Sequence, residues 1–315
     1  VNIFQPGVGA DLNLSETVTD LAVTNLSFKD QIVSIIPENI FIDLTKGNML
    51  PVIFFAILFG FFATKVSENS SFTMTNFFTS AFEVFMKMTL FIVKFTPLGV
   101  FAIVSNIVAD QNGDPERLVS IISSLGVYTA VVWAGCIIHS GAVLPALVFG
   151  FTRLNPYKHI KQMSIPLLTA FSTCSSGATL PLTIKESQEK TGISSKIASF
   201  VLPLGSTINM NGTALYEGVT AIFIAQAYGI DLSIGQQFVI VLTSVLASIG
   251  AAGIPMAGLV MVAVVLSAVG LPLEGIGLIL AVQQLCDMPR TAVNVHGDTC
   301  AAVVVAHSEG EKLNL

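Results

Sequence analysis

Asp287, Arg290, Thr291, Asn294 and Asp298 follow one another at i, i+3, i+4, i+7 and i+11. At 100° per residue they share an arc of about 100°, one narrow face of a helix. On that face Asp287 can accept hydrogen bonds from an ammonium group, and Arg290 offers a planar fork that grips a carboxylate bidentately. Thr291 and Asn294, with Ser175 and Ser176 from an earlier small-residue stretch, can hydrogen-bond a second carboxylate. Asp298, with Asn and backbone carbonyls, supplies hard oxygen ligands suited to Na⁺. A structural Asp–Arg pair would explain two members of this stripe and leave the second acid, the Asn and the Thr without a reason. An intramembrane hydrolase would draw on His139, Ser140 and the aspartates, but no Ser/His or Asp/Asp motif links them. Neither zinc-ligand spacing nor a glycine-rich phosphate loop is present. The chain therefore reads as a carrier rather than an enzyme.

The surroundings of the stripe explain why its charges are informative. Of 315 residues, 53% are hydrophobic and only 11% charged, with a mean hydropathy of +0.78. Soluble domains carry about a quarter charged residues. Apolar runs at Pro51–Thr64, Thr89–Val108, Leu118–Phe151, Phe238–Val269 and Leu271–Leu285 include several that reach the ~20 residues needed to cross hydrocarbon as helix. An all-α polytopic membrane protein is expected, in preference to a large soluble bundle. At mid-bilayer each ionised group costs about 2.5–3.5 kcal/mol unless paired or solvated. Basic residues cluster in Arg153, Lys158 and Lys161 and again in Lys185, Lys190 and Lys196, whereas the loops Ala109–Leu118 and Ala227–Gln236 share only Arg117. The positive-inside rule puts the first two groups in the cytoplasm. The net charge of −6 gives no footprint for nucleic acid. Cys136, Cys174, Cys286 and Cys300 lack metal or disulfide-framework spacing and read as buried thiols.

Along the chain, residues 1–26 read as an extracellular linker, 27–112 as scaffold and trimerisation spans, 113–308 as a transport domain and 309–315 as a cytoplasmic tail. Phe28–Gly60 holds short helical pieces broken at Pro37 and Pro51. Phe77–Val108, rich in phenylalanine, and Arg117–Gly150 form two long spans joined by the turn Asp110–Asp114. The second half repeats itself. Ser172–Thr179 runs into Leu180-Pro181, and Ala247–Gly253 runs into Ile254-Pro255. Each small-residue tip lies in an apolar stretch followed by a span with unusual polar residues: Asn209, Asn211 and Thr213, then the stripe. Irregular backbone at membrane depth is tolerated only where it lines a cavity or is buried in protein, and paired interruptions point to a transporter's binding site. Transmembrane helices plus two re-entrant helical hairpins in inverted repeat are expected. Packing seams of small residues are the competing account.

TLPLT, LPLGSTINMNGTALYEG, ASIGAAGIP and DMPRTAVNVHGD resemble the signature motifs of the glutamate transporter family, the dicarboxylate/amino acid:cation symporters. The likeness runs in order from Phe4-Gln5-Pro6-Gly7 to Glu311. Inverted repeats are a described feature of that family, so the symmetry belongs to the resemblance. It implies a homotrimer with a scaffold and an elevator-like transport domain, in the plasma (inner) membrane, and further spans preceding Val1. Carried over motif by motif, substrate contacts are Ser176, Thr213, Gly258, Asp287, Arg290, Thr291 and Asn294. One sodium site uses Gly205, Asn209, Asn294 and Asp298, and a second uses Thr207 with backbone of Ser248, Ile249 and Ala251.

Several positions depart from the family pattern. NMNGT stands where NMDGT is usual, so Asn211 replaces an aspartate that helps hold a third sodium. Cys174 and Met288 occupy positions where other members carry an arginine, which leaves Arg290 as the membrane-embedded arginine of the site. Gln283 replaces a common aspartate. Glu217, in ALYEG, matches animal members that co-transport a proton, and is the candidate proton carrier; a permanently protonated Glu that donates one hydrogen bond is the alternative. The expected function is sodium-coupled symport of aspartate or glutamate. Neutral amino acids or C4-dicarboxylates are the alternative substrates within the family, and a passive anion channel the alternative activity.

Overall fold

In the computed structural model the described residues are 1–8, 36, 37, 39–46, 49–95, 98, 101, 102, 105, 109, 115–250 and 257–315. Every regular element among them is helical. The chain divides into two units, residues 24–119 and residues 1–23 with 120–315.

In the unit 24–119, α1 (Ile40–Lys46) starts at Asn39, whose Oδ1 accepts from the N–H of Phe41 at 3.0 Å. The sequence reading places a break at Pro51, yet Pro51 sits in the first turn of α2 (Met49–Ala63). An N–H there would have no intrahelical acceptor, so proline is tolerated and the break becomes a helix start. α3 (Glu68–Val93) begins well before the expected Phe77. Its opening turns are polar, and hydropathy marks where a helix can cross hydrocarbon rather than where it begins. Phe59, Phe61, Phe62, Phe72, Phe77 and Phe91 are exposed. The expected turn Asp110–Asp114 and residues 9–26 of the expected linker lie outside the described residues.

The helix expected at Arg117–Gly150 is longer at both ends. α4 (Pro115–Ile138) continues through a π-helical turn, His139–Val143, into α5 (Leu144–Thr152). The turn widens next to Pro145, which has no N–H to donate one turn back. Val119–Thr152 is the one helix among the described residues long and apolar enough to cross a membrane, at 34 residues and a mean hydropathy of 2.0. It ends at Arg153 in the left-handed region (φ 59°).

α6 (Pro156–Gln162) is capped by Asn155, which accepts from Tyr157 N at 3.1 Å and Lys158 N at 3.2 Å. α7 (Ser164–Thr173) and α8 (Ser176–Glu186) form a helical hairpin turning at Cys174 and Ser175. After a second π turn come α9 (Ser195–Ile208), α10 (Asn211–Ala227), α11 (Ile234–Ile249), α12 (Ala257–Ala268), α13 (Ile276–Leu280) and α14 (Gln283–Ser308). α11 packs against α12; of the tip expected at Ala247–Gly253, Ala247–Ile249 are still helical and Gly250 is the C-cap, while Ala251 to Gly253 and the following Ile254-Pro255 lie outside the described residues.

α14 is the hub, packing against α5, α7, α9 and α10. Leu144, Val148, Ile197, Leu202, Val303 and Ala306 form the apolar cluster along its C-terminal half. The last residues are fastened to the unit: Asn314 N donates to Thr191 O at 2.9 Å, and Glu311 Oε2 accepts from Ser194 N at 2.9 Å.

Candidate functional site

A stripe of polar residues on one face of α14 must bury that face among polar partners, and those partners come from two breaks in neighbouring helices. The first break separates α9 from α10 at Asn209 and Met210. The opening N–H groups of α10 have no intrahelical acceptor, and Met210, at the N-cap, offers no side-chain cap. Asn294 fills the role from α14, with Asn211 Oδ1 also accepting from Gly212 N at 2.9 Å. Its Oδ1 accepts from Gly212 N at 2.7 Å and Thr213 N at 3.3 Å, while its Nδ2 donates to Thr213 Oγ1 at 3.0 Å and faces the sulfur of Met210 at 3.3 Å. The sequence reading offers Asn294 to substrate and sodium; the structure commits its side-chain oxygen to the helix start. Close approach is possible because residue 212 is glycine: a Cβ there would lie 3.0 Å from Val293 Cβ and 3.1 Å from Asn294 Oδ1.

One turn further along α14, Asp298 is 3% exposed and accepts from Asn209 Nδ2 at 2.8 Å. Gly205 on α9 lets the carboxylate in, since a Cβ there would lie 2.8 Å from Asp298 Oδ1. Gly205, Asn209 and Asp298 thus meet as expected. The donor set is oxygen-rich and includes a buried carboxylate, which fits a small hard cation.

At the other end of the stripe Arg290 pairs with Asp287, and Thr291 Oγ1 lies 3.1 Å from Asp287 Oδ1 and 2.9 Å from its carbonyl oxygen. The guanidinium carbon stands 5.5 Å over the ring of Tyr216, whose hydroxyl donates to Gln283 Oε1. Gly258 on α12 faces the same guanidinium, because a Cβ there would overlap Arg290 Nη1. Arg290 is 3% exposed, and its Nε and Nη1 meet no acceptor among the described residues. A buried guanidinium with open donors is a costly arrangement unless something else accepts from them.

The hairpin tip reaches this end of α14 through Gln284 Nε2, which lies 3.2 Å from Cys174 Sγ. Cys174 adopts the left-handed conformation (φ 51°) that turns the chain between α7 and α8. Ser175 caps α8 by accepting from Ala178 N at 3.2 Å, and Ser176 is its first residue; both are buried. Glu217, on α10, is fully buried with neither carboxylate oxygen hydrogen-bonded among the described residues.

The remaining expected sodium residues are less gathered. Asn209, Asn211, Ser248 and Ile249 line one cavity of about 550 Å³ together with His139. Ser248 Oγ donates to Val245 O at 2.8 Å, and Asn211 Nδ2 lies 3.2 Å from His139 Nε2. Thr207 is exposed on α9, bonded to Pro203 O at 3.3 Å. Sequence reasoning passed over Met210, Gly212, Tyr216 and Gln284. The first three lie inside the NMNGTALYEG run and could have been found by asking what must approach a broken helix end closely.

Residues 1–308 match the sodium:dicarboxylate symporter family. The chain is 42% identical over 259 residues to the mouse protein "Excitatory amino acid transporter 3", covering 82% of this chain and 48% of that one. It is 38% identical over 305 residues to human "Excitatory amino acid transporter 1", covering 96% and 55%. Human "Neutral amino acid transporter A" is 37% identical over 260 residues, covering 82% and 48%. The chain thus spans about half the length of the curated relatives it matches.

Proposed function

Because the chain belongs to the sodium:dicarboxylate symporter family over residues 1–308, we propose that it acts within a multi-pass plasma-membrane (inner-membrane) symporter that couples an acidic amino acid to sodium. The observation that carries the acidic substrate is Arg290. It is buried, one edge is held by Asp287, its face rests on Tyr216, and two of its nitrogens have no acceptor among the described residues. A substrate side-chain carboxylate supplies the missing acceptors, and fixed geometry makes a bidentate grip selective for it. Asp287 and Thr291 then face the substrate's ammonium group, and Thr213, Ser175, Ser176 and Gly258 border the rest of the pocket. Sodium travels as co-substrate. Asp298, Asn209 and the Gly205 backbone form one site with Asn294 beside it, and Thr207, Ser248, Ile249 and Ala251 form the second. Asn211, already engaged with His139, adds no charge to a third. Glu217 is the proposed proton carrier.

In this reading α7–α8 and α11–α12 are re-entrant hairpins in inverted repeat. The helices from Pro115 to Ser308 form the moving transport domain, and residues 27–112 belong to the scaffold of a homotrimer. Uptake of radiolabelled aspartate, glutamate, serine and succinate into vesicles holding the full-length protein, with and without a sodium gradient, tests the proposal. Sodium-driven uptake of the two acidic amino acids above the others is expected. Preference for serine would move the chain to neutral substrates, and preference for succinate to dicarboxylates.

A further inference from the structure

The corner where the long helix ends has no part in the site above, and it carries a groove of about 610 Å³ between α5 and α6. Pro145 and Phe149 form its apolar wall, and Arg153, Asn155 and Tyr157 form its polar mouth. The shape is built, not incidental. Pro145 cannot donate to the carbonyl of Gly141, and the Tyr157 hydroxyl donates to that oxygen instead at 3.2 Å, fixing α6 beside α5. Arg153 ends the helix in the left-handed region with its guanidinium carbon 5.5 Å from the Phe149 ring.

Along residues 117–185 the charge has one sign. No Asp or Glu occurs there, and Arg153, Lys158 and Lys161 are all exposed, with no carboxylate ion-pair partner among the described residues. Level matters too. The Val119–Thr152 helix has 34 residues, about 51 Å at 1.5 Å per residue, against ~40–45 Å for a bilayer including its headgroups. The helix is therefore long enough for its end to reach headgroup level, where exposed Tyr157 is an aromatic type that interfaces favour and exposed Phe149 and Phe151 offer apolar surface.

We propose that this corner is a binding site for an acidic phospholipid. The headgroup phosphate sits against Arg153 and Lys158, with Lys161 adding long-range attraction, and the acyl chain lies along Pro145 and Phe149. The proposal rests on the reading of the chain as membrane-spanning and is independent of what is transported. Each basic residue at an anionic surface contributes about a fivefold gain in association.

The full-length protein, purified in detergent, is mixed with equal amounts of phosphatidylglycerol and phosphatidylcholine, and retained lipid is counted by native mass spectrometry. Wild type should retain phosphatidylglycerol preferentially. Arg153→Gln with Lys158→Gln should lower that retention by more than tenfold, while Lys65→Gln with Lys87→Gln leaves it unchanged. Phe149→Ser should weaken lipid retention, and excess inorganic phosphate should compete poorly. Equal retention of the two lipids, no loss in Arg153→Gln/Lys158→Gln, or full competition by free phosphate would overturn the lipid site. Aspartate uptake by the same double variant separates the two readings: lipid loss with uptake intact leaves the transport reading standing, and absent uptake in wild type leaves the lipid result standing.

Discussion

Gly205→Ala probes the proposed cation site without replacing a charged residue. The added Cβ would lie 2.8 Å from Asp298 Oδ1, 3.0 Å from its Cγ and 3.2 Å from its Cβ. Ordinary contact begins near 3.4 Å, so the carboxylate must withdraw by about 0.6 Å. Asp298 is buried and its Oδ1 accepts from Asn209 Nδ2 at 2.8 Å, so withdrawal also stretches that bond. Overpacking of this size costs about 1–3 kcal/mol. If the strain falls on the ion-bound state, the sodium concentration for half-maximal substrate binding should rise by about 5- to 150-fold. The assay is substrate binding by the purified full-length protein across graded sodium, with thermal melting as the check on folding. Asp298→Asn should show the same direction with a larger effect. A folded Gly205→Ala protein with wild-type sodium dependence would refute the reasoning, as would a change that persists undiminished at saturating sodium.

Asn294→Ala removes the cap of α10 and should destabilise the protein by about 1–2 kcal/mol, seen as a lower melting temperature, whereas Asn294→Asp keeps an acceptor and should retain most of the stability. Glu217→Gln should abolish any response of uptake to an imposed pH gradient while substrate still binds; if wild-type uptake ignores the gradient, Glu217 is structural. His159, on the loop helix beyond the long span, is pushed down to about 3 by burial and secondarily by His296, so it folds neutral. Its unfolded pKa is about 6.5, so its contribution is complete above that pH and is lost as pH falls toward 3. Melting from about pH 7.5 to about pH 5 should therefore fall more steeply in wild type than in His159→Asn, and equal slopes would remove His159 as the cause.

The polar face of α14 was legible because helical period alone puts Asp287, Arg290, Thr291, Asn294 and Asp298 together. The hairpin turn at Cys174–Ser175 was legible from its small residues. Pro51 misled because a proline marks either a break or a first turn, and only the helix that follows decides which. The start of α3 was missed because polar residues can be helical without being apolar. Asn294's role was hidden for a different reason: which amide meets the open N–H groups of Gly212 and Thr213 is set by packing more than eighty positions away in sequence. Asp287 was offered to a ligand ammonium, and spacing did not reveal that its Oδ1 already faces both Arg290 and Thr291.

Whether the open nitrogens of Arg290 read an acidic side chain is decided by the ratio of aspartate to serine uptake. The full-length wild type and Arg290→Ala, both confirmed as folded, are compared under one sodium gradient. Leaving a carboxylate unpaired in a buried site costs about 1–3 kcal/mol or more. The ratio should therefore fall by about fivefold at the least, through loss of aspartate and relative gain of serine. An Arg290→Ala protein that keeps the wild-type ratio would rule out Arg290 as the reader of the acidic side chain.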